Sequence, residues 1–268
     1  MRREPIFNLP PLIPVLIGLF ALIEIAVGFV GADNVSDFYL TFGFIPGDLA
    51  DRFGSDVFRA LEEAARLQPG DEEALGLAEI ASYLRAHPSA LPFTLISYAF
   101  LHAGWPHLII NSVWLMAFGS VVARRIGSIR FLTLFALSAI GGALCHFITH
   151  MNDVMPVIGA SGAVSGIMAA AIRFVFQPGE SLSGFSLDTS GSYRAPSLPL
   201  FKTFQDRRTL RFILLWLAIN LLTGLAGIPL GLGEGSIAWE AHLGGFFTGL
   251  VVFSWIDPPI QEYPASLA

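Results

Sequence analysis

Charge is what this sequence has least of. Only 13% of its 268 residues are Asp, Glu, Lys or Arg, where a water-soluble domain carries about 25%. A surface so poor in charge cannot all face water. A cytosolic globular protein is therefore excluded, and membrane residence is the first inference. Lys and Arg form no long basic stripe, so no nucleic-acid partner is expected. Cysteine is nearly missing too. Cys145 stands alone, which excludes an intrachain disulfide and leaves the redox compartment unsignalled. No internal repeat is visible. That counts against a small transporter or channel in which Glu24, Asn220 and the histidines line a path.

What is present is apolar and segmented. Six runs reach or approach the roughly 20 residues that a helix needs to cross a bilayer. They are Pro11–Gly31, His107–Ala123, Phe131–Thr149, Val157–Phe176, Leu210–Gly227 and Ala238–Ile256. The first is too long for the apolar core of a signal peptide and carries Glu24, so it is expected to remain as a span. In a six-span chain the basic residues collect on one side. Arg2 and Arg3, then Arg124, Arg125 and Arg130, then Arg194, Lys202, Arg207 and Arg208 all fall there. The positive-inside rule makes that side, and both termini, cytoplasmic. The opposite side holds a long first loop in which acids such as Asp48, Asp51, Glu62, Glu63, Glu72 and Glu73 outnumber the arginines.

The expected fold is an all-α membrane protein: one domain over 1–268, a long extracytoplasmic first loop over 33–106 and a flexible cytoplasmic linker over 177–208. Within the first loop, Val57, Phe58, Leu61, Ala64 and Ala65 recur at helical spacing. They predict a helix over Ser55–Gln68, stopped by Pro69-Gly70. A second helix is expected over Glu72–Ala86. Phe93–Leu101 is apolar but too short to span, so it should lie in the interface or re-enter. The linker is rich in Gly, Ser and Pro.

Polar residues inside such spans are costly and usually pair or do work. The fourth run contains Gly159-Ala160-Ser161-Gly162. A serine among small residues at a helix start exposes its hydroxyl, and the free N–H groups there can hold an oxyanion. The alternative is helix packing, since Gly162 and Gly166 are a small-xxx-small pair. The sixth run places His242, Gly245 and Gly249 on one face. That nearly bare face could press on the fourth run and bring His242 to Ser161 as its base. The alternative is a buried histidine bonded to a carbonyl. His107 and Asn111, at i and i+4 in the second run, project together and can donate to an oxyanion or serve as interhelical glue.

Together these three sites resemble the rhomboid family of intramembrane serine proteases. His102-Ala103-Gly104-Trp105-Pro106-His107 with Asn111 resembles its second-helix motif. Gly159-Ala160-Ser161-Gly162 looks like its GxSG. Ala241-His242 with Gly245 and Gly249 matches its AHxxGxxxG. The resemblance covers all six runs in family order, without the insert at about Ser55–Ala86. It implies a six-helix rhomboid bundle and a Ser161–His242 dyad without a third acid. It also implies an oxyanion site of the Ser161 N–H, His107 and Asn111, supported by Gly159, Gly162, His102, Gly245 and Gly249. The substrates implied are transmembrane proteins entering from the lipid bilayer, and the compartment a bacterial inner membrane with the site open to the extracytoplasmic side. Loops flanking Gly227–Gly235 and Ser82–His102 are expected to gate it. A silent binding protein of the same fold is the alternative function. Two positions depart from the family pattern. Phe93-Thr94 stands where many members have Trp-Arg, and Ser165 stands where some have a Tyr beneath the histidine.

No cofactor and no metal is expected. His146 and His150 have an i, i+4 spacing that can bind metal. No third ligand is evident unless Asp153 joins, and a helix-end polar pair is the expected reading. Glu24 and Glu240 read as interhelical hydrogen-bonding groups or interfacial charges. Trp105, Trp114, Trp239 and Trp255 read as interface or packing residues.

Overall fold

The computed structural model describes residues 9–88, 92–176, 195–225 and 238–257. Among them the architecture is all-helical, with a single isolated β-bridge between Phe44 and Val157. The helix α1 (Leu12–Phe29) starts after Pro10-Pro11 and buries the stripe Ile13, Leu16, Phe20 and Val27. Its other side remains apolar and outward: Val15 is 64% and Leu22 62% exposed. Burying such side chains is worth about 1.5–3 kcal/mol each, so a face like this is matched to lipid rather than water.

The first loop has its own small core. Short helices α2 (Ala32–Phe42) and α3 (Pro46–Arg52) lead to the pair α4 (Val57–Leu67) and α5 (Glu72–Ala86). The Asp71 side chain caps α5, accepting from the N–H groups of Glu73 and Ala74 at 3.0 and 3.2 Å. The two helices pack through Val57, Phe58, Ala81 and Leu84, and Arg85 pairs with Glu62 at 2.9 Å. The apolar stretch after it forms α6 (Thr94–Ser97) and a tight helical turn, Tyr98–Phe100.

Helix α7 (Trp105–Trp114) runs through a wide turn at Leu115–Gly119 into α8 (Ser120–Thr149), which is broken at Gly127 by φ 76°. A Cβ on Gly119 would lie 3.4 Å from the Phe131 ring. In one straight helix those positions would be about 18 Å apart. The chain therefore folds back at Gly127, and two apolar antiparallel helices result. Both α1 and the stretch Trp105–Thr149 are long and apolar enough to cross a membrane.

At the centre stands α9 (Ser161–Val175), in which every residue after Ser161 is buried. Its 15 residues make about 22 Å of helix, short of a hydrocarbon core of about 30 Å. The fourth apolar run begins at Val157, and its helix begins at Ser161, the helix start that the small residues around that serine suggested. The backbone ahead of it is held by tertiary contacts: Val157 and Phe44 exchange backbone hydrogen bonds at 2.8 and 3.1 Å, and the Gly159 N–H donates to the Tyr98 carbonyl at 3.0 Å. Irregular backbone in a buried position is tolerated only where protein satisfies it. The first loop supplies those partners.

Helices α8 and α12 (Trp239–Ile256) flank α9, and α11 (Arg207–Leu225) lies against α12. Glycines allow the approach of α12. A Cβ on Gly245 would overlap the Gly162 carbonyl, and one on Gly249 would overlap the backbone of Gly166. Of the linker expected over 177–208, residues 177–194 lie outside the described part, as does the gating segment expected at Gly227–Gly235. From Ala195 on, the chain is tied down. The Leu198 N–H donates to the Arg173 carbonyl at 2.7 Å, and a short helix, α10 (Leu200–Thr203), precedes α11.

Candidate active site

Ser161 is the first residue of α9, and the geometry before it is set by Gly159. At φ 125° Gly159 has a backbone that side-chain-bearing residues rarely adopt. It is also crowded: a Cβ there would stand 2.7 Å from His107 Cε1 and 2.9 Å from its Nε2. The missing side chain lets the His107 ring lie beside the start of α9. Tyr98, fully buried, holds this corner from below. Its hydroxyl donates to the Ala139 carbonyl at 2.8 Å, and its carbonyl takes the Gly159 N–H.

Across the glycine seam, His242 Nε2 lies 2.7 Å from Ser161 Oγ. The other ring nitrogen, Nδ1, lies 2.5 Å from Asn220 Oδ1 on α11. The Asn220 amide is oriented by its own helix, because Nδ2 donates to the Trp216 carbonyl at 2.8 Å. Oδ1 is then left as the acceptor, so His242 carries its proton on Nδ1 and presents the Nε2 lone pair to the serine hydroxyl. A hydroxyl facing an imidazole lone pair at this distance can be deprotonated as it attacks.

His107 has the opposite tautomer. The Ala103 N–H donates to its Nδ1 at 3.3 Å, so the proton is on Nε2, the edge beside Gly159. Asn111 is buried, and its Nδ2 donates to the His107 carbonyl at 3.0 Å. That uses one of its two N–H bonds. His102 is buried against Phe20 and His107, with ring centroids 5.1 and 5.2 Å away. Its carbonyl accepts the Tyr39 hydroxyl at 2.9 Å, while both ring nitrogens lack a hydrogen-bond partner. Of the two departures from pattern, Thr94 is buried with Phe93 turned outward, and Ser165 is buried inside α9.

The fold thus brings together Ser161, His242, His107 and Gly159, with Asn111 one turn further along α7. Sequence reading missed Asn220 and Tyr98 as parts of this site. Asn220 did carry a signal, as an isolated amide within the apolar run Leu214–Leu222, but spacing could not say which helix it faced. Tyr98 had none, because it reads as one more aromatic in Phe93–Leu101.

A family model described as a Rhomboid domain matches residues 91–257. The chain belongs to the rhomboid family. As a rhomboid it is an integral membrane protein. The chain spans about half the length of the curated relatives it matches. It is 26% identical to RHOMBOID-like protein 5 of Arabidopsis thaliana over 170 residues, which cover 61% of this chain and 47% of that protein. It is 29% identical to Rhomboid protease GlpG of Yersinia pestis over 161 residues, 60% of this chain and 46% of that one. Over a shorter stretch of 81 residues it is 37% identical to Putative rhomboid protease YdcA of Bacillus subtilis, covering 30% of this chain and 40% of the relative. In this rhomboid the matched region begins just before α6 and includes every residue of the site described above.

Proposed function

We propose that this rhomboid is an intramembrane serine endopeptidase, with Ser161 as nucleophile and His242 as general base. The observation that carries the reading is the 2.7 Å approach of Ser161 Oγ to His242 Nε2 at the start of a buried helix. Relatives that bear the name rhomboid protease support it. As Oγ attacks the substrate carbonyl carbon, Nε2 takes the hydroxyl proton. The carbonyl π electrons move to oxygen, which becomes the oxyanion. The Ser161 N–H and the His107 Nε2–H stabilise that charge, with Asn111 joining once its second N–H turns inward. The α9 N-terminus adds favourable potential. His242 then protonates the leaving amine, the C–N bond breaks, and water deacylates Ser161 by the same route in reverse. Asn220 acts as a positioning residue: it holds the tautomer and plane of His242 without touching substrate.

The bundle we propose has six spans: α1, the two arms of Trp105–Thr149, α9, α11 and α12. Both termini lie in the cytoplasm and the site opens outward. Charge placement supports that orientation. The substrate is a membrane-protein segment whose helix is weakened by Gly or Pro, because a protease needs an extended strand and a stable membrane helix satisfies its own backbone. The test is labelling of the purified protein with a fluorophosphonate and location of the adduct by mass spectrometry. An adduct on Ser161 that disappears in His242→Ala supports the dyad. A folded, monodisperse wild type that stays unlabelled overturns it in favour of a binding role for the fold.

A further inference from the structure

The end of α8 and the start of α12 meet at a second polar cluster that takes no part in the proposed reaction. His146 is buried, and its Nδ1 has no hydrogen-bond partner. It faces Glu240 Oε2 at 3.5 Å. His150, one turn further on, stacks parallel to it with centroids 4.4 Å apart and planes 11° apart. Its Nε2 stands 3.9 Å from Glu240 Oε1. The Glu240 side chain is only 11% exposed. The sequence left the two histidines without a third ligand, and the fold supplies it from α12 rather than from Asp153.

Proton bookkeeping makes the cluster unusual. The Thr149 hydroxyl donates to the His146 carbonyl at 3.0 Å, so its oxygen is the acceptor for His150 Nδ1 at 2.9 Å. With the proton on Nδ1, a neutral His150 turns its Nε2 lone pair toward a carboxylate oxygen. His146 Nδ1 faces the other oxygen of the same carboxylate at 3.5 Å. The His150 lone pair turned toward a buried carboxylate is a repulsive arrangement unless a cation lies between them. Each histidine needs its far nitrogen occupied to fix the ring for metal, and the Thr149 hydroxyl does this for His150.

We infer that His146, His150 and Glu240 form a divalent-cation site of the zinc type, joining α8 to α12 two residues before His242. One candidate ligand atom from each side chain lies within 4.8 Å of the other two. Tetrahedral zinc, with bonds of about 2.0–2.1 Å, needs its ligand atoms about 3.3 Å apart, so the widest pair must close by about 1.5 Å, within the reach of side-chain rotation. Two imidazoles and one carboxylate suit zinc and disfavour calcium or magnesium, which select oxygen. Half-exposed His150, its side chain 39% accessible, gives the ion its entry. Three protein ligands leave the fourth position for water.

The probe is Zn2+ alone, titrated into the purified full chain after removal of any affinity tag and chelator. Bound metal is counted by mass spectrometry of the native protein, and affinity is read by competition with a chromophoric chelator. The expected result is one zinc per chain, weakened at least tenfold in each of His146→Ala, His150→Ala and Glu240→Gln. It is accompanied by a zinc-dependent rise in melting temperature that His150→Ala abolishes. His150→Ala and the isosteric Glu240→Gln guard against misfolding of the buried His146 variant. Zinc uptake that is equal in wild type and variants overturns the proposal. So does a wild type that takes up none, which would leave a proton as the bridging cation. Fluorophosphonate labelling of Ser161 is read separately, so failure here leaves the protease reading intact.

Discussion

The amide oxygen of Asn220 accepts the Nδ1 proton of His242 at 2.5 Å, from a helix other than those that carry the serine and the histidine. The resemblance implied a two-residue mechanism, and in this chain a third side chain fixes the imidazole. Because Ser165 replaces the tyrosine found in some members, His242 lacks that aromatic support, and the Asn220 hydrogen bond is the anchor the structure offers instead. Asn220→Ala should lower the limiting rate of probe labelling roughly a hundredfold, the scale of lost acid–base assistance. The half-saturating probe concentration should stay nearly constant. Asn220→Asp keeps an acceptor at the same reach and should retain most of the rate, whereas Asn220→Leu should not. Equal rates in the Asp and Leu variants would remove Asn220 from the mechanism.

The seam between α9 and α12 sets the distance between nucleophile and base, and it contains no slack at Gly245. A methyl group there would overlap the Gly162 carbonyl. Gly245→Ala should cost about 3 kcal/mol and abolish labelling, since α12 must move outward and take His242 with it. Gly18, on the exposed part of α1, has nothing within 4 Å of its absent Cβ. Gly18→Ala should be neutral or stabilise by up to about 1 kcal/mol. Melting curves of the two variants in the same detergent check the contrast, and similar curves would contradict it.

Much of this was legible in the sequence because the bilayer imposes length and hydropathy on each helix. The runs ending at Thr149 and Ile256 match helix ends in the structure, the helix expected over Ser55–Gln68 from its apolar spacing and Pro-Gly stop forms as Val57–Leu67, and the second expected helix forms over Glu72–Ala86. What could not be read depends on partners distant in the chain. The backbone ahead of Ser161 is held in its non-helical course by Phe44 and Tyr98. Asn220 faces His242, and Glu240 faces His146, because two helices happen to be neighbours. Arg125 counted in sequence as a topology signal. In the fold it turns inward and binds the Ala195 carbonyl, and Arg173 likewise binds the Leu198 carbonyl and the Ser254 hydroxyl.

Helix α11 begins at a cap whose strength depends on pH. The Asp206 carboxylate accepts from the Thr209 N–H and from its hydroxyl, both at 2.8 Å. Those bonds, the backbone one foremost, hold its pKa below the ordinary 3.8. A depressed carboxylate stabilises the fold above its unfolded pKa, and that stabilisation is lost as pH falls through the folded value. Asp206→Ala should cost about 1 kcal/mol at most at neutral pH, the carboxylate being largely in water. The difference from wild type should vanish below the carboxylate range. Asp206→Asn should cap nearly as well and flatten the dependence. Melting temperatures of the three proteins across the acid range provide the check.

A buried tie at the other end of the bundle is made by Arg125. Its guanidinium, on a side chain only 4% exposed, meets the Asp257 carboxylate with Nε at 2.5 Å and Nη2 at 2.9 Å. Its third nitrogen donates to the Ala195 carbonyl at 2.6 Å, and the Phe174 ring lies 4.6 Å from its centre. One side chain thereby joins the end of the first arm of Trp105–Thr149, α9, the start of the chain leading to α11, and the residue that follows α12. Arg125→Ala leaves a carboxylate that is 11% exposed with the Ser197 hydroxyl at 2.7 Å as its remaining hydrogen bond and should cost about 3 kcal/mol, most of it the penalty of the poorly compensated charge. Arg125→Lys offers a point charge in place of a two-pronged fork and should recover less than half. In Arg125→Ala with Asp257→Ala the stranded charge is gone, so the double variant should melt above Arg125→Ala alone. If it melts lower instead, Asp257 stabilises the fold without Arg125, as its hydrogen bond from the Ser197 hydroxyl at 2.7 Å would allow, and the cycle of four proteins isolates the pairwise term.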